Sequence, residues 1–299
     1  MTKVSICVPN YNYGEYIGEC IRSILNQTYK DFELIIVDDA STDNSIEIIE
    51  SFSDSRIRVY ENDENLGITK NWNQCLKYAT GDYIAIFHSD DIYHSEIIEQ
   101  EVKVLSHFKN IHLVSTKATT NIQRLKDKNE YKYILYTPFE FMKFLFGGHT
   151  LVCPSVMVRQ ECYEDIGRYN EDLIFLEDQE FYLRAALKYG LAKIDNVLMF
   201  YRQQEKKSFA TSFEGDTNKH KIRILEMKFL KSVANDVCDV YKEEIKDYYL
   251  NFIATLDMYL SIRYKMISEN DKAEFCFNSA KRIQGGIKRG IPQPIPDTI

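Results

Sequence analysis

Three polar clusters carry the residue types for chemistry: Pro9-Asn10-Tyr11-Asn12, Asp38-Asp39-Ala40-Ser41-Thr42-Asp43 and Ser89-Asp90-Asp91. Each directly follows a short apolar, β-branched run. If those runs are strands of an open α/β sheet, the three loops lie on one edge, where such sheets bind ligands. Carboxylates there suit a nucleotide and a divalent cation, because Mg²⁺ is commonly held by one or two carboxylates plus substrate phosphates. The pattern points to a nucleotide-sugar enzyme.

The elements that must position these loops are legible as periodicities. Strands are expected at Val4 to Val8, Leu34 to Val37, Ile57 to Tyr60 and Tyr83 to Phe87. Helices are expected at Glu15 to Gln27, Asp43 to Phe52 and Gly67 to Ala79, with Ser41 or Thr42 capping the second. Strands alternating with amphipathic helices indicate a mostly parallel sheet with right-handed crossovers. A less regular stretch follows, with strands at Val156 to Arg159 and Val197 to Tyr201 and helices near Phe139 to Phe146 and Asp178 to Tyr189. From Lys219 the pattern is helical. Ile222, Leu225, Phe229, Leu230, Val233 and Val237 are expected to share one buried face, and Ile245, Tyr249, Phe252, Ile253, Leu256 and Leu260 another. A third helix near Asp271 to Ile283 should stop at Gly285-Gly286, with an extended proline-containing tail beyond.

Bulk properties narrow the class. The 299 residues are 44 % hydrophobic and 27 % charged, ordinary for a folded globular protein. A net charge of −8 argues against a nucleic-acid partner, which demands clustered Lys and Arg. Seven scattered cysteines without a C-x-x-C pair, and no secretory signal at the start, predict reduced thiols and a cytoplasmic protein. No apolar run approaches the roughly 18 residues of a membrane span.

Taken together, Val4 to Asn12, Ile35 to Asp43, Asn65-Leu66-Gly67 and Phe87-His88-Ser89-Asp90-Asp91-Ile92-Tyr93 resemble the family 2 inverting glycosyltransferases of GT-A fold. Pro154 to Arg159, Glu177-Asp178 and Tyr201-Arg202 resemble that family's acceptor-side elements, so the likeness spans about two thirds of the chain. It implies a Rossmann-like sheet flanked by helices, with a C-terminal helical extension. The nucleotide-binding half would cover 1–115, the acceptor and catalytic half 116–215, the helical region 216–285 and the tail 286–299. Pro9 and Tyr11 would line the base pocket, and Asp39 would accept from the uracil ring, as an acceptor-only carboxylate can. Asn65, Gly67, Lys70 and Asn73 would surround the nucleotide. Asp90 and Asp91 would hold Mn²⁺ or Mg²⁺ against the diphosphate, with Asp90 also touching the donor. Asp178 would be the general base of an inverting transfer, with Glu177 as its understudy.

Two positions depart from the family pattern. His88 stands where an acidic residue is usual: either Asp90 and Asp91 suffice, which is the expectation, with His88 structural or supporting them from behind, or His88 tunes the site. Gln204 replaces a histidine two residues after Arg202, leaving Arg202 to carry more of the phosphate load. The implied donor is a UDP-sugar and the implied acceptor a saccharide or lipid-linked hydroxyl in cell-surface glycan synthesis. A catalytically silent nucleotide-sugar-binding module and a sugar nucleotidyltransferase are the alternatives; the second lacks its glycine-rich loop between Pro9 and Gly14. The C-terminal helices, with Lys281, Arg282, Lys288 and Arg289, leave open both docking on the inner face of an anionic membrane and a homodimer.

Overall fold

The computed structural model describes residues 3–126, 130–203, 217–241 and 244–286. Strands are β1 (Val4–Asn10), β2 (Phe32–Asp38), β3 (Ile57–Glu61), β4 (Tyr83–Ile86), β5 (Ile92–Tyr93), β6 (Ile111–Thr119), β7 (Tyr133–Tyr136), β8 (Val156–Arg159) and β9 (Gly190–Phe200). Helices are α1 (Gly14–Leu25), α2 (Ser45–Glu50), α3 (Ile68–Tyr78), α4 (Ile97–His107), α5 (Pro138–Phe146), α6 (Gln160–Ile166), α7 (Glu177–Ala186), α8 (Thr217–Tyr241), α9 (Lys246–Met266) and α10 (Asn270–Gly286). They divide into two compact units. Of the described residues, the first holds those up to 137, 151–174 and 189–203, and the second 138–150, 175–188 and those from 217 to 286.

The first unit is an α/β layer built on one nine-stranded sheet, ordered β3-β2-β1-β4-β8-β6-β9-β5, with β7 also paired to β9. β1 to β4, β6 and β9 run one way; β5, β7 and β8 run the other. This is the mostly parallel, helix-flanked sheet expected from the sequence. β2 is buried at every position and β1 at all but Pro9, which is why both read as near-continuous apolar runs. The core between sheet and helices holds Ile6, Val8, Ile17, Ile21, Ile24, Leu34, Ile36, Ile97, Ile98 and Leu105. Because β9 is parallel to β6 and both share the direction of β4, the chain leaving β9 at Tyr201 emerges at the same edge as the chain leaving β1, β2 and β4.

Helix α2 is shorter than predicted and is not capped by Ser41 or Thr42. Its first amide, Ser45 N, donates to Asp43 Oδ1 at 3.0 Å, while Ser41 is drawn away to Asp38. β9 extends well before Val197, and β6 lies between it and β8.

The second unit contains α5, α7 and the three long helices α8 to α10. The buried face of α9 follows the predicted stripe, and Phe146 packs against Tyr249 and Phe252. The face of α8 does not. Leu225 is 65 % and Phe229 41 % exposed, whereas Ile224, Met227, Leu230 and Ala234 are buried. The helix is rotated because two of its polar residues, Arg223 and Glu226, turn inward to bond the backbone of Phe175. Among the described residues no helix is long and apolar enough to cross a membrane. Gln204, Lys288, Arg289 and nearly all of the predicted tail lie outside the described residues.

Candidate active site

The loops after β1 and β2 are stitched into one scaffold. Asp38, 1 % exposed, accepts from Asn10 Nδ2 (2.7 Å), Ser41 N (2.7 Å) and Ser41 Oγ (2.7 Å). Asn12 Oδ1 accepts from Thr42 N at 2.7 Å, and Asp43 Oδ2 from Gly14 N at 2.9 Å. Ala40 (φ 58°) and Asn12 (φ 57°) sit in the left-handed region, costly for alanine and tolerated only where neighbours over-determine the backbone. This network is such a neighbourhood.

Asp39 does the same for the loop before α3. Its Oδ1 accepts from Asn62 Nδ2 (2.8 Å) and Leu66 N (2.9 Å), its Oδ2 from Gly67 N (2.9 Å). Gly67 adopts φ 87° and ψ 165°, a conformation essentially restricted to glycine. Asp39 therefore shapes the Asn65-Leu66-Gly67 turn, and its two oxygens retain little free acceptor capacity. Tyr11 is 43 % exposed, Asn65 and Lys70 are exposed, and Pro9 is half-buried. Asn73 is placed differently from its expected role. Buried on α3, it donates to Tyr169 O and Glu171 Oε1 and accepts from Tyr169 N, so its amide is committed to the 169–171 segment.

The turn after β4 is held from below. His88 N donates to Tyr93 Oη at 2.7 Å, and Cys20 Sγ to His88 O at 3.3 Å. Arg202 closes the turn from the end of β9. Its N donates to Asp91 Oδ1 (2.9 Å), its Nε to Asp90 O (2.8 Å) and its Nη2 to Glu19 Oε2 (2.6 Å), with the guanidinium 4.8 Å above Tyr16. Arg202 is thus a brace of the acidic turn.

Asp91 Oδ2 is buried and has no hydrogen-bond partner. Burial, followed by the Asp90 carboxylate, pushes the Asp91 carboxyl well above its usual range. Burial pushes the His88 imidazole down to about 4, so it is neutral at pH 7. Ligand atoms of His88, Asp90 and Asp91 all lie within 4.8 Å of one another. A buried carboxylate with an open oxygen beside a second carboxylate fits a divalent cation, which would supply the missing partner and offset the like-charge repulsion.

Glu177 and Asp178 open α7 in the second unit. Asp178 Oδ1 accepts from Gln179 N at 2.7 Å. Glu177 is 5 % exposed and its Oε2 has no partner. Burial pushes both carboxyls up, Glu177 the further because Asp178 adds to it, while the Arg223 guanidinium pulls both down. The backbone two residues before Glu177 is clamped by α8: Phe175 N donates to Glu226 Oε2 (3.1 Å), and Phe175 O accepts from Arg223 Nη1 (2.8 Å). Sequence reasoning passed over Arg223 and Glu226. Their three-residue spacing on a helix of charged and apolar residues carried no mark of that partner.

The Pro154 to Arg159 stretch is internal. Ser155 Oγ donates to Val152 O (2.7 Å) with Thr116 O as the alternative acceptor at 3.1 Å, and Arg159 Nε donates to Ile111 O (2.9 Å). His149 stacks on Phe144, ring centroids 4.9 Å apart.

Known proteins resemble this chain in sequence and in fold. The sequence model of the family described as "Glycosyl transferase family 2" matches residues 5–167. An uncharacterised glycosyltransferase of Methanocaldococcus jannaschii is 32 % identical over 225 residues, covering 70 % of this chain and 77 % of the relative. Among solved structures, S. aureus TarS 1–349 in complex with UDP-GlcNAc superposes with a TM-score of 0.63 at 17 % identity, over 96 % of this chain and 93 % of that one. The mannosyltransferase PcManGT of Pyrobaculum calidifontis, in complex with GDP-Man and Mn²⁺, does so with a TM-score of 0.57 at 17 % identity, over 95 % and 74 %.

Proposed function

This chain belongs to glycosyl transferase family 2, and we propose that it is a metal-dependent, inverting enzyme that moves a sugar from a UDP-sugar to a saccharide or lipid-linked hydroxyl in cell-surface glycan synthesis. The observation that carries the reading is the cluster of His88, Asp90 and Asp91 after β4, on the sheet edge where the loops bearing Tyr11 and Asp39 also emerge. Structural relatives bind nucleotide sugars of two kinds, UDP-GlcNAc in TarS and GDP-Man in PcManGT, the latter with Mn²⁺.

In this reading Tyr11 and Pro9 flank the base, and Asp39 acts mainly by fixing the Asn65 to Gly67 turn that borders the nucleotide. Lys70, exposed on the first turn of α3 and without an ion pair among the described residues, meets phosphate charge. Asp90 and Asp91 hold the cation, and Arg202 holds them. A divalent cation bound there supplies charge stabilisation to the departing nucleoside diphosphate. Asp178 takes the proton of the attacking acceptor hydroxyl. Its raised carboxyl brings its proton affinity closer to working pH, as a general base requires.

The test is release of nucleoside diphosphate from a panel of UDP- and GDP-sugars with Mn²⁺ or Mg²⁺, with proton NMR of the released sugar. The proposal expects metal-dependent UDP release and a product of inverted anomeric configuration. No release from any nucleotide sugar would contradict it.

A further inference from the structure

The acidic turn begins with a histidine whose ring is not engaged by hydrogen bonds. His88 Nδ1 lies 4.0 Å from Asp91 Oδ2, too far for one. Its Nε2 is buried without a hydrogen-bond partner. The ring instead rests against Trp72, with centroids 5.5 Å apart at 40°. Trp72 is in turn fixed edge-on against Tyr169 at 5.2 Å. The imidazole is therefore held in place by packing while its buried Nε2 goes unpaired, which costs free energy unless something else binds it.

The facing group is open in the same way. The Asp91 side chain is fully buried, its Oδ1 is taken by Arg202 N, and its Oδ2 has no hydrogen-bond partner. One ligand atom each from His88, Asp90 and Asp91 falls within 4.8 Å of the other two, the one such group of three among the described residues. The backbone on both sides is pinned, through Tyr93 Oη to His88 N and through Arg202 to Asp90 O, so the three donors are presented together.

We infer that His88 is itself a ligand of the cation, making the site a mixed nitrogen and oxygen one that favours a transition-series divalent ion over Mg²⁺. The inference rests on the donor-site reading above and specifies its metal. The chemistry follows from ligand preference. Mg²⁺ takes oxygen donors and dehydrates reluctantly, whereas imidazole is a ligand for transition ions. An aspartate at position 88 would give the all-oxygen set. A histidine that merely oriented Asp91 would need a hydrogen bond to it, and the 4.0 Å separation does not provide one.

The experiment loads full-length protein with Mn²⁺ in the presence of UDP and records pulsed electron paramagnetic resonance. Natural-abundance protein is compared with protein carrying ¹⁵N-histidine. The expected result is a nitrogen coupling that converts from the ¹⁴N to the ¹⁵N pattern on labelling and disappears in His88→Gln. In calorimetry, His88→Asp should lower the preference for Mn²⁺ over Mg²⁺ by roughly tenfold or more. Mn²⁺ binding that depends on Asp90 and Asp91 but shows no histidine nitrogen would overturn the inference and leave the donor-site reading standing. Failure of both Mn²⁺ and Mg²⁺ to bind with UDP would overturn the two together. Unchanged thermal transitions in the metal-free variants show that neither result comes from misfolding.

Discussion

Two acidic stretches follow two strands of one sheet and are built in opposite ways. After β2, Asp38 and Asp39 have both oxygens occupied by the chain's own N–H and O–H groups. After β4, Asp91 keeps one buried oxygen open and has a second carboxylate beside it. The first pair spends its acceptors on shape. The second stores an unsatisfied demand that a cation can meet. An open oxygen alone is not enough to mark a site, because Glu101 in α4 leaves both of its oxygens unpaired in the core with no metal-ligating group of three around it among the described residues. What distinguishes the β4 turn is the convergence of several donors.

The largest expected effect lies in the second unit. Asp178→Asn should lower turnover by roughly 100-fold to 10,000-fold while UDP affinity changes little. Steady-state kinetics beside calorimetry checks this, and a variant retaining more than about a tenth of the rate argues against the base role.

The contrast between the two acidic stretches sharpens next. Asp39→Asn sets an amide N–H₂ against backbone N–H donors, and should cost about 1–3 kcal/mol of stability and weaken UDP binding. Asp91→Asn keeps the acceptor for Arg202 N but relieves the like-charge repulsion between buried Asp91 and half-buried Asp90. Its metal-free thermal midpoint should rise while metal binding is lost. If both variants behave alike in thermal denaturation, the distinction fails.

A smaller effect concerns pH. Because burial raises the Asp178 and Glu177 carboxyls, transfer should fall on acidification at a pH above the ordinary carboxylate range near 4. Arg223→Gln removes a neighbouring cation and should move this acid limb up. Glu226→Gln removes a neighbouring anion that raises Glu177, and should move it down. Purely structural roles for α8 would move neither. The smallest effect is on Glu101, whose carboxyl burial pushes well above its usual range. Its folded-state pKa is raised, so stability is full below the unfolded value and declines as pH rises beyond it. Glu101→Gln should flatten that decline in thermal melts between pH 5 and 9.

Much of this architecture was legible in the sequence, and the unread parts have physical reasons. β1, β2 and β4 announce themselves because a strand buried on both faces is an apolar run, and their polar continuations reveal the loops. Tyr11, Lys70, Asp90 and Asp91 were singled out through motif order. Asn73 and Arg202 were singled out as donor-site residues, but their partners, Tyr169 and Glu171 for one and Glu19 for the other, lie far off in sequence, so the bracing they perform could not be read. The rotated face of α8 was hidden for a similar reason. Apolar spacing pointed to Leu225 and Phe229, whereas the hydrogen bonds of Arg223 and Glu226 to Phe175 decide which side turns inward. Polar contacts between distant segments leave no periodicity to detect.

The most direct test of the central claim is calorimetric titration of UDP and GDP, with and without Mn²⁺, on the natural protein and on Asp91→Asn. UDP binding should require Mn²⁺ and be lost in the variant although its fold is intact. Diphosphate binding of equal strength without metal, or retained in Asp91→Asn, would contradict it.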